Sequence, residues 1–193
     1  MSQAESSIPG VAWGAVERHA DERGSFRELW RRSRLPEPFV QVNLSTSAPG
    51  VLRGLHLHRR QVDHWVVVTG RALVALVDVR PLLDGSGPNP IVETRELPVD
   101  SSVTIPEGVA HGFLALQPLE LLYLVSNEYD SSDEHGFAWD DPAVGVPWPR
   151  VAVAPDGSRV GSRTPQRGGV ESRCQLAIGT FSTSTSSIAR PTT

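Results

Sequence analysis

Three histidines and an aspartate stand close together in residues 51–70, VLRGLHLHRRQVDHWVVVTG. Side chains alternate between the two faces of a β-strand, so His56 and His58 are expected to point to the same side. Two adjacent imidazoles are costly to bury without polar partners, and the pair therefore indicates a pocket. A second segment, PEGVAHGF at 106–113, places a proline–glycine turn before His111. We interpret the two histidine-bearing strands as parts of one site.

The elements that must position these histidines are short β-strands. Runs of Val, Leu, Ile and aromatic residues are separated by turns that contain Gly and Pro, and helical periodicity is weak. The pattern predicts strands at 12–18, 25–31, 39–47, 51–58, 62–69, 72–79, 91–97, 102–105, 110–116 and 119–126, a tight Gly70-Arg71 hairpin, and an ordered loop at 130–150 with a helical turn around Asp140–Pro142. Such an all-β pattern is typical of a jelly roll, whose mouth is a common place for a small-molecule site.

Length and composition limit the other possibilities. With 193 residues and 39% hydrophobic content, the chain suits one domain at 1–154, followed by a Gly/Ser/Thr/Arg-rich extension at 155–193 whose last residues have too few large apolar side chains to become ordered. The net charge of -4 and the lack of a long basic run argue against nucleic-acid and membrane partners. No apolar run approaches the roughly 20 residues of a membrane span. Cys174 is the only cysteine, which fits a cytoplasmic protein.

Several motifs occur in a fixed order between residues 10 and 150. They are Asp21-x-Arg23-Gly24-x-Phe26-x-Glu28, Gln41-x-Asn43-x-Ser45, Gly50-Val51-x-Arg53-Gly54-Leu55-His56, Val77-Asp78-x-Arg80, Pro106-x-Gly108-x-Ala110-His111-Gly112-Phe113, Tyr123 with Tyr129, and Trp139-Asp140-Asp141-Pro142 through Trp148-Pro149. Together they closely resemble the dTDP-4-dehydrorhamnose 3,5-epimerase family, the RmlC-like cupins. The resemblance implies a homodimeric double-stranded β-helix (cupin jelly roll). It further implies binding of a dTDP-4-keto-6-deoxyhexose and inversion of carbons next to the ketone, without a metal or other cofactor.

The resemblance also assigns roles to individual residues. It implies that His56 removes the proton next to the ketone and that Tyr123 donates a proton from the opposite face of the sugar. An imidazole suits the first role because its pKa lies near neutrality. The substrate-binding residues that it implies are Arg23, Phe26, Glu28, Gln41, Asn43, Arg53, His111 and Tyr129. The two arginines would bind the pyrophosphate, whereas Phe26 and Glu28 would reach the nucleotide of the partner subunit.

Two positions depart from the family pattern. The family lysine that stabilises the enolate falls on Asp63, whose negative charge would repel an enolate. Candidates to replace the lysine are Arg59, Arg60 and His64. The family aspartate that orients the catalytic histidine falls near Ser162-Arg163-Thr164, so Asp156 or Asp63 would have to support the imidazole instead.

Two other functions fit the same residues. His56, His58, Asp63 and His111 follow the spacing of metal-binding cupins, and three imidazoles with one carboxylate suit Zn, Fe, Mn or Ni in an oxygenase or isomerase. The other alternative is a cupin that binds a sugar nucleotide without catalysis. Of the three, the sequence favours the metal-independent epimerase, acting on a nucleotide sugar in deoxysugar, polysaccharide or natural-product synthesis.

Overall fold

The computed structural model describes residues 5–35, 37–87 and 89–149. Within these residues the chain forms twelve β-strands and one short helix. In chain order the elements are β1 (Ala12–Ala15), β2 (Arg18–Asp21), β3 (Gly24–Arg27), β4 (Gln41–Ser47), β5 (Leu52–Leu57), β6 (Asp63–Thr69), β7 (Arg71–Asp78), α1 (Arg80–Asp84), β8 (Ile91–Pro98), β9 (Ser101–Ile105), β10 (Val109–Ala115), β11 (Leu119–Val125) and β12 (His135–Gly136). The prediction of an all-β protein is confirmed.

Ten of the strands form two five-stranded antiparallel sheets. The first sheet has the order β1-β9-β6-β11-β4 and the second β12-β5-β10-β7-β8, while β2 and β3 form a separate hairpin. The sheets share one core, in which Trp65 and Val67 of the first belong to the same cluster as Val74, Leu76 and Phe113 of the second. Two antiparallel sheets packed face to face make the jelly roll that the sequence predicts.

The second sheet is also covered on its outer face. Leu55, Leu57 and Val77 form a second apolar cluster with Leu83 of α1 and Trp148 near the end of the described chain. Strand β7 is therefore buried on both faces, which explains its nearly continuous apolar sequence. Because both faces are packed, the second sheet holds the side chains on its inner face in fixed positions.

The connection at Gly70 differs from the prediction. A Gly70-Arg71 hairpin would pair β6 with β7, but β6 pairs with β9 and β11, whereas β7 pairs with β8 and β10. The chain crosses from the first sheet to the second at Gly70, where φ is +83°. A Cβ at this position would overlap the carbonyl oxygen of Pro118, so the crossing requires glycine.

Other local predictions are wrong for reasons of pairing. The predicted strand 12–18 divides, because its first part pairs with β9 whereas its last residue begins the pairing of β2 with β3. The strand predicted at 25–31 ends at Arg27, the last residue that has a partner in β2. Helix α1 and strand β12 were not predicted. The expected helical turn is present as a single turn, in which the backbone N–H groups of Val144 and Gly145 donate to the Asp141 carbonyl oxygen.

Two further predictions concern the C-terminal extension and membrane-spanning helices. The extension at 155–193 lies outside the described residues, and the domain boundary at 154 stays a prediction. Over the part of the chain that the structure describes, no helix has both the length and the apolar character needed to cross a membrane.

Candidate active site

A cavity of about 810 Å³ lies between the two sheets. Strands β4, β6 and β11 line it from the first sheet, β5 and β10 line it from the second, and residues of segment 127–139 complete it. Small-molecule sites commonly have volumes of about 300–1,000 Å³. Seven of the ten residues predicted to bind substrate or catalyse line this one cavity: Gln41, Asn43, Arg53, His56, His111, Tyr123 and Tyr129.

Strand alternation determines which side chains of β4 reach the cavity. Gln41 and Asn43 line it, whereas Val42 and Leu44 point outward and are exposed. Gln41 Nε2 donates a hydrogen bond to Asn43 Oδ1 at 3.0 Å. The side-chain oxygen of Gln41 accepts a hydrogen bond from the backbone N–H of Tyr129 at 3.0 Å. The two amides are thus held together beside the exposed Tyr129, at the rim of the cavity.

His56 has a carboxylate partner. It lies on β5 directly opposite His111 of β10, and its Nδ1 is 2.5 Å from Oε1 of Glu134. Burial disfavours the charge of Glu134, but its hydrogen bond to His56 and the neighbouring histidines outweigh that effect and lower its pKa. The ionised carboxylate orients the ring through Nδ1 and leaves Nε2 as the nitrogen that can accept a proton.

Glu134 was missed by sequence reasoning. Of the two carboxylates considered for this role, Asp63 accepts hydrogen bonds from Gln61 and Trp65, and Asp156 lies outside the described residues. Glu134 reaches His56 because Gly136, in β12, pairs with His56 in β5. A Cβ at Gly136 would overlap the carbonyl oxygen of the neighbouring β5 residue. A glycine two residues after an acid was the one signal that could have suggested this close approach.

Asp133 fixes the segment that carries Glu134. Its carboxylate accepts hydrogen bonds from the backbone N–H groups of Arg59 at 3.0 Å and Arg60 at 3.1 Å. Its carbonyl oxygen lies 3.0 Å from Nδ1 of His58 and accepts a hydrogen bond from it. Asp133 is buried despite being charged, because its carboxylate has these donors. One residue therefore orients His58 directly and His56 through the adjacent Glu134.

Asp63 and His111 form a buried group deeper in the cavity, each with 4% of its surface exposed. Asp63 accepts hydrogen bonds from Gln61 Nε2 at 2.8 Å and from Trp65 Nε1 at 3.1 Å. His111 Nδ1 donates to the Val109 carbonyl oxygen at 2.9 Å. Burial lowers the pKa of His111, although the charge of Asp63 opposes the shift. The imidazole of His111 is therefore neutral at neutral pH.

Tyr123 lies on the wall opposite His56. It belongs to β11 of the first sheet, where its partners in register are Asn43 of β4 and Trp65 of β6. Burial, together with the charge of Asp63, raises the pKa of the Tyr123 phenol. The phenol keeps its proton at neutral pH and can donate it. The cavity therefore has an imidazole that can accept a proton on one wall and a phenol that can donate one on the other.

This arrangement occurs in a chain that matches a known family. The family model described as dTDP-4-dehydrorhamnose 3,5-epimerase matches residues 5–163. The chain belongs to the dTDP-4-dehydrorhamnose 3,5-epimerase family. The resemblance noted from the sequence motifs is thus confirmed.

Three relatives illustrate the relationship. The spore coat polysaccharide biosynthesis protein SpsL of Bacillus subtilis is 37% identical over 148 residues, which are 73% of this chain and 96% of that protein. The structure of the rmlC epimerase of Mycobacterium tuberculosis has a TM-score of 0.68 and 34% identity, covering 82% of each chain. The RmlC epimerase of Legionella pneumophila, solved with dTDP-4-keto-L-rhamnose, has a TM-score of 0.66 and 28% identity, covering 77% of this chain and 83% of its own.

The cationic side chains of this epimerase-family chain differ in whether they line the cavity. Arg53 lines the cavity, and its guanidinium donates to Ser47 Oγ at 3.0 Å and to the Thr46 carbonyl oxygen at 3.3 Å. Of the three residues considered as replacements for the family lysine, only Arg60 lines the cavity, where it is paired with Asp130 at 2.7 Å. His64 faces away from it and contacts Thr104.

Three residues that the family resemblance implies as substrate contacts lie outside the cavity of their own chain. Arg23 is exposed at the turn of the β2–β3 hairpin and forms an ion pair with Asp21 at 2.6 Å. Phe26 is 66% exposed on the same hairpin, and Glu28 just beyond it pairs with Arg31. Phe26 stacks on His19 of the same hairpin, with the ring centroids 6.5 Å apart.

Proposed function

We propose that this protein epimerises a dTDP-4-keto-6-deoxyhexose at one or both carbons next to the ketone. The observation that carries the proposal is the placement of His56, supported by Glu134, across one cavity from the protonated Tyr123. Family membership and the dTDP-4-keto-L-rhamnose bound to the Legionella relative support a sugar nucleotide as the substrate.

The mechanism transfers one proton at each face of the sugar. His56 Nε2 takes the proton from the carbon next to the ketone, and the electron pair of the C–H bond moves onto the ketone oxygen to form an enolate. Tyr123 then donates its phenolic proton to the opposite face of that carbon while the enolate electrons return. Solvent removes the proton from His56 and restores the one lost by Tyr123, so the carbon is inverted with no net consumption of protons.

The other cavity residues would bind the substrate. We assign the amides of Gln41 and Asn43 to the sugar hydroxyls, because their side chains face the cavity as a linked pair. Arg53 would bind the pyrophosphate, for which a guanidinium is suited, and His111 would line the floor. Tyr129 would contact the sugar at the rim. We expect this reaction to serve deoxysugar synthesis in the cytoplasm.

Solvent exchange tests the base directly. In D2O, His56→Asn should abolish deuterium incorporation at C3 of a dTDP-4-keto-6-deoxyhexose, measured by NMR, because asparagine cannot accept the proton. Binding of dTDP should change little, since His56 does not contact the nucleotide in this proposal. Exchange that continues in the folded variant would refute the role of His56. A native protein that binds dTDP yet exchanges nothing would identify the non-catalytic binder instead.

We further propose that two copies complete each other's sites. Arg23 and Phe26 are exposed on a hairpin that does not line the cavity of its own chain. Strand β4 is an edge of the first sheet and exposes Val42 and Leu44, which are 60% and 59% exposed. An apolar edge strand is a surface that a second copy would cover in a two-fold dimer, leaving each hairpin to reach the other cavity.

Subunit mixing tests this arrangement. His56→Asn removes the base, whereas Arg23→Ala with Phe26→Ala removes the hairpin contacts, and each homodimer should be nearly inactive. Mixed dimers should contain one site with a native base and a native partner hairpin, so unfolding and refolding an equal mixture should restore about a quarter of the native rate. Failure to restore activity in a protein that remains dimeric would exclude shared sites.

A further inference from the structure

Three side chains of types that commonly bind metals come together in the cavity, apart from the pair formed by His56 and Glu134. They are His58, Asp63 and His111, and one ligand atom of each lies within 4.8 Å of the other two. We propose that these three side chains bind one divalent first-row transition ion, with Zn²⁺ as the representative. Two imidazoles and a carboxylate favour such an ion over Mg²⁺ or Ca²⁺, which prefer oxygen ligands.

The hydrogen bonds of the two imidazoles prepare them to coordinate. Nδ1 of His58 contacts the Asp133 carbonyl oxygen, and Nδ1 of His111 contacts the Val109 carbonyl oxygen. A carbonyl oxygen only accepts hydrogen bonds, so each ring carries its proton on Nδ1 and presents the lone pair of Nε2. An N–H anchored on a carbonyl while the other nitrogen is free is the usual arrangement of a histidine that binds a metal.

The carboxylate is anchored in the same way. Asp63 is held by Gln61 and Trp65, both on the same stretch of chain, and its Oδ2 lies 3.7 Å from Nε2 of His111. That distance is too long for a hydrogen bond, so the two buried groups approach without bonding to each other. Tetrahedral Zn²⁺ with bonds of about 2.0–2.2 Å places its ligand atoms about 3.3–3.6 Å from one another. Ligand atoms that now lie within 4.8 Å would approach one another by about 1.5 Å at most.

His56 does not belong to this set. The metal alternative derived from the sequence included His56 as a fourth ligand, but its ring is engaged by Glu134 and the group of converging ligand atoms excludes it. Three protein ligands leave a coordination position open, as in catalytic zinc sites, where a water or a substrate oxygen can bind. The proposed ion would therefore act beside the base instead of replacing it.

The charge of the ion gives it a function, if the proposed epimerisation is correct. Proton removal next to a ketone creates a negatively charged oxygen, and the Asp63 carboxylate, which lines the cavity, would oppose that charge. A divalent ion on the same three ligands changes the local charge from one negative to one positive. The ion would then stabilise the enolate that the carboxylate alone destabilises.

Metal binding can be measured without substrate. The native protein should be freed of metal with a chelator and titrated with Zn²⁺ by calorimetry, and Co²⁺ should give the visible absorption bands of a nitrogen- and oxygen-ligated ion. We expect one equivalent of Zn²⁺ to bind. Asp63→Asn and His58→Gln should each weaken binding by at least about a hundredfold, because each removes a ligand. The matched controls His56→Asn and His19→Gln should retain the native Zn²⁺ affinity.

The outcomes separate the metal site from the epimerase. Absence of stoichiometric Zn²⁺ binding to the folded protein, or native affinity in both ligand variants, would overturn the site, whatever the exchange rate. Should Asp63→Asn fail to fold, His58→Gln alone decides, because His58 is only partly buried. Zinc binding that is weakened by the ligand substitutions, in a protein that exchanges no proton even with Zn²⁺ bound, would uphold the metal site and refute the epimerase.

Discussion

Replacing Glu134 by glutamine tests whether the charge behind His56 drives proton abstraction. Glutamine keeps an oxygen that can accept the hydrogen bond from His56 Nδ1, but it removes the negative charge that stabilises the protonated ring. Hydrogen bonds to charged groups contribute about 1.5–3 kcal/mol. The His56 side chain is 47% exposed and that of Glu134 is 24% exposed, so solvent screening reduces this contribution. We therefore expect a loss of about 1–1.5 kcal/mol, or roughly a five- to thirteenfold slower exchange.

A second variant separates charge from orientation. Glu134→Ala removes both the charge and the acceptor, so the ring also loses its fixed direction, and exchange at C3 should fall by about a hundredfold. Glu107→Gln is a matched control, because Glu107 is an exposed carboxylate on the turn before β10. The assay is the initial rate of deuterium incorporation at saturating substrate, with melting temperatures measured alongside. A Glu134→Gln variant as fast as the native protein would show that the carboxylate charge is not used.

Other parts of the molecule give three further expectations. Tyr123→Phe should slow formation of the inverted product by about a hundredfold or more while proton exchange continues, which NMR distinguishes. Burial lowers the pKa of His64 to about 4, so the unfolded state binds more protons below about pH 6.5 and the protein should lose about 3 kcal/mol of stability from this group as the pH falls to 4. His64→Gln should flatten the pH dependence of the melting temperature over that range, and an unchanged slope would contradict the assignment. Gly70→Ala should cost roughly 3 kcal/mol or more in denaturant unfolding, because its Cβ meets the Pro118 carbonyl, whereas Gly85→Ala, also at positive φ but with open space, should cost about 1 kcal/mol.

The strands that form the cavity could be predicted from local sequence. Strands β5, β6, β10 and β11 each lie within one residue of the predicted bounds, because β-branched and aromatic runs between turn residues specify both their length and their type. The placement of His56, His111 and Tyr123 around one cavity follows from those strands together with the motifs.

Features that depend on long-range pairing could not be predicted. Gly70 is compatible with a hairpin or with a crossing between sheets, and only the partners of β6 and β7 decide between them. Glu134 lies in a segment without periodicity, and it reaches His56 through the two-residue strand β12. A strand of that length carries no recognisable pattern of its own. The hairpin with Phe26 resembles other strand pairs in sequence, although its strands pair with neither of the two large sheets.

The double attachment of Asp133 makes the two imidazoles mechanically dependent on each other. A displacement of its backbone would move the carbonyl that orients His58 and the carboxylate that orients His56 at the same time. A change in this loop that alters the orientation of one histidine therefore also alters the orientation of the other. Within this loop, the side chains at 130–132, before Asp133, are exposed, so these positions can vary without altering either attachment. In protein engineering, Asp133 and Glu134 should therefore be transferred together as one unit and not substituted separately.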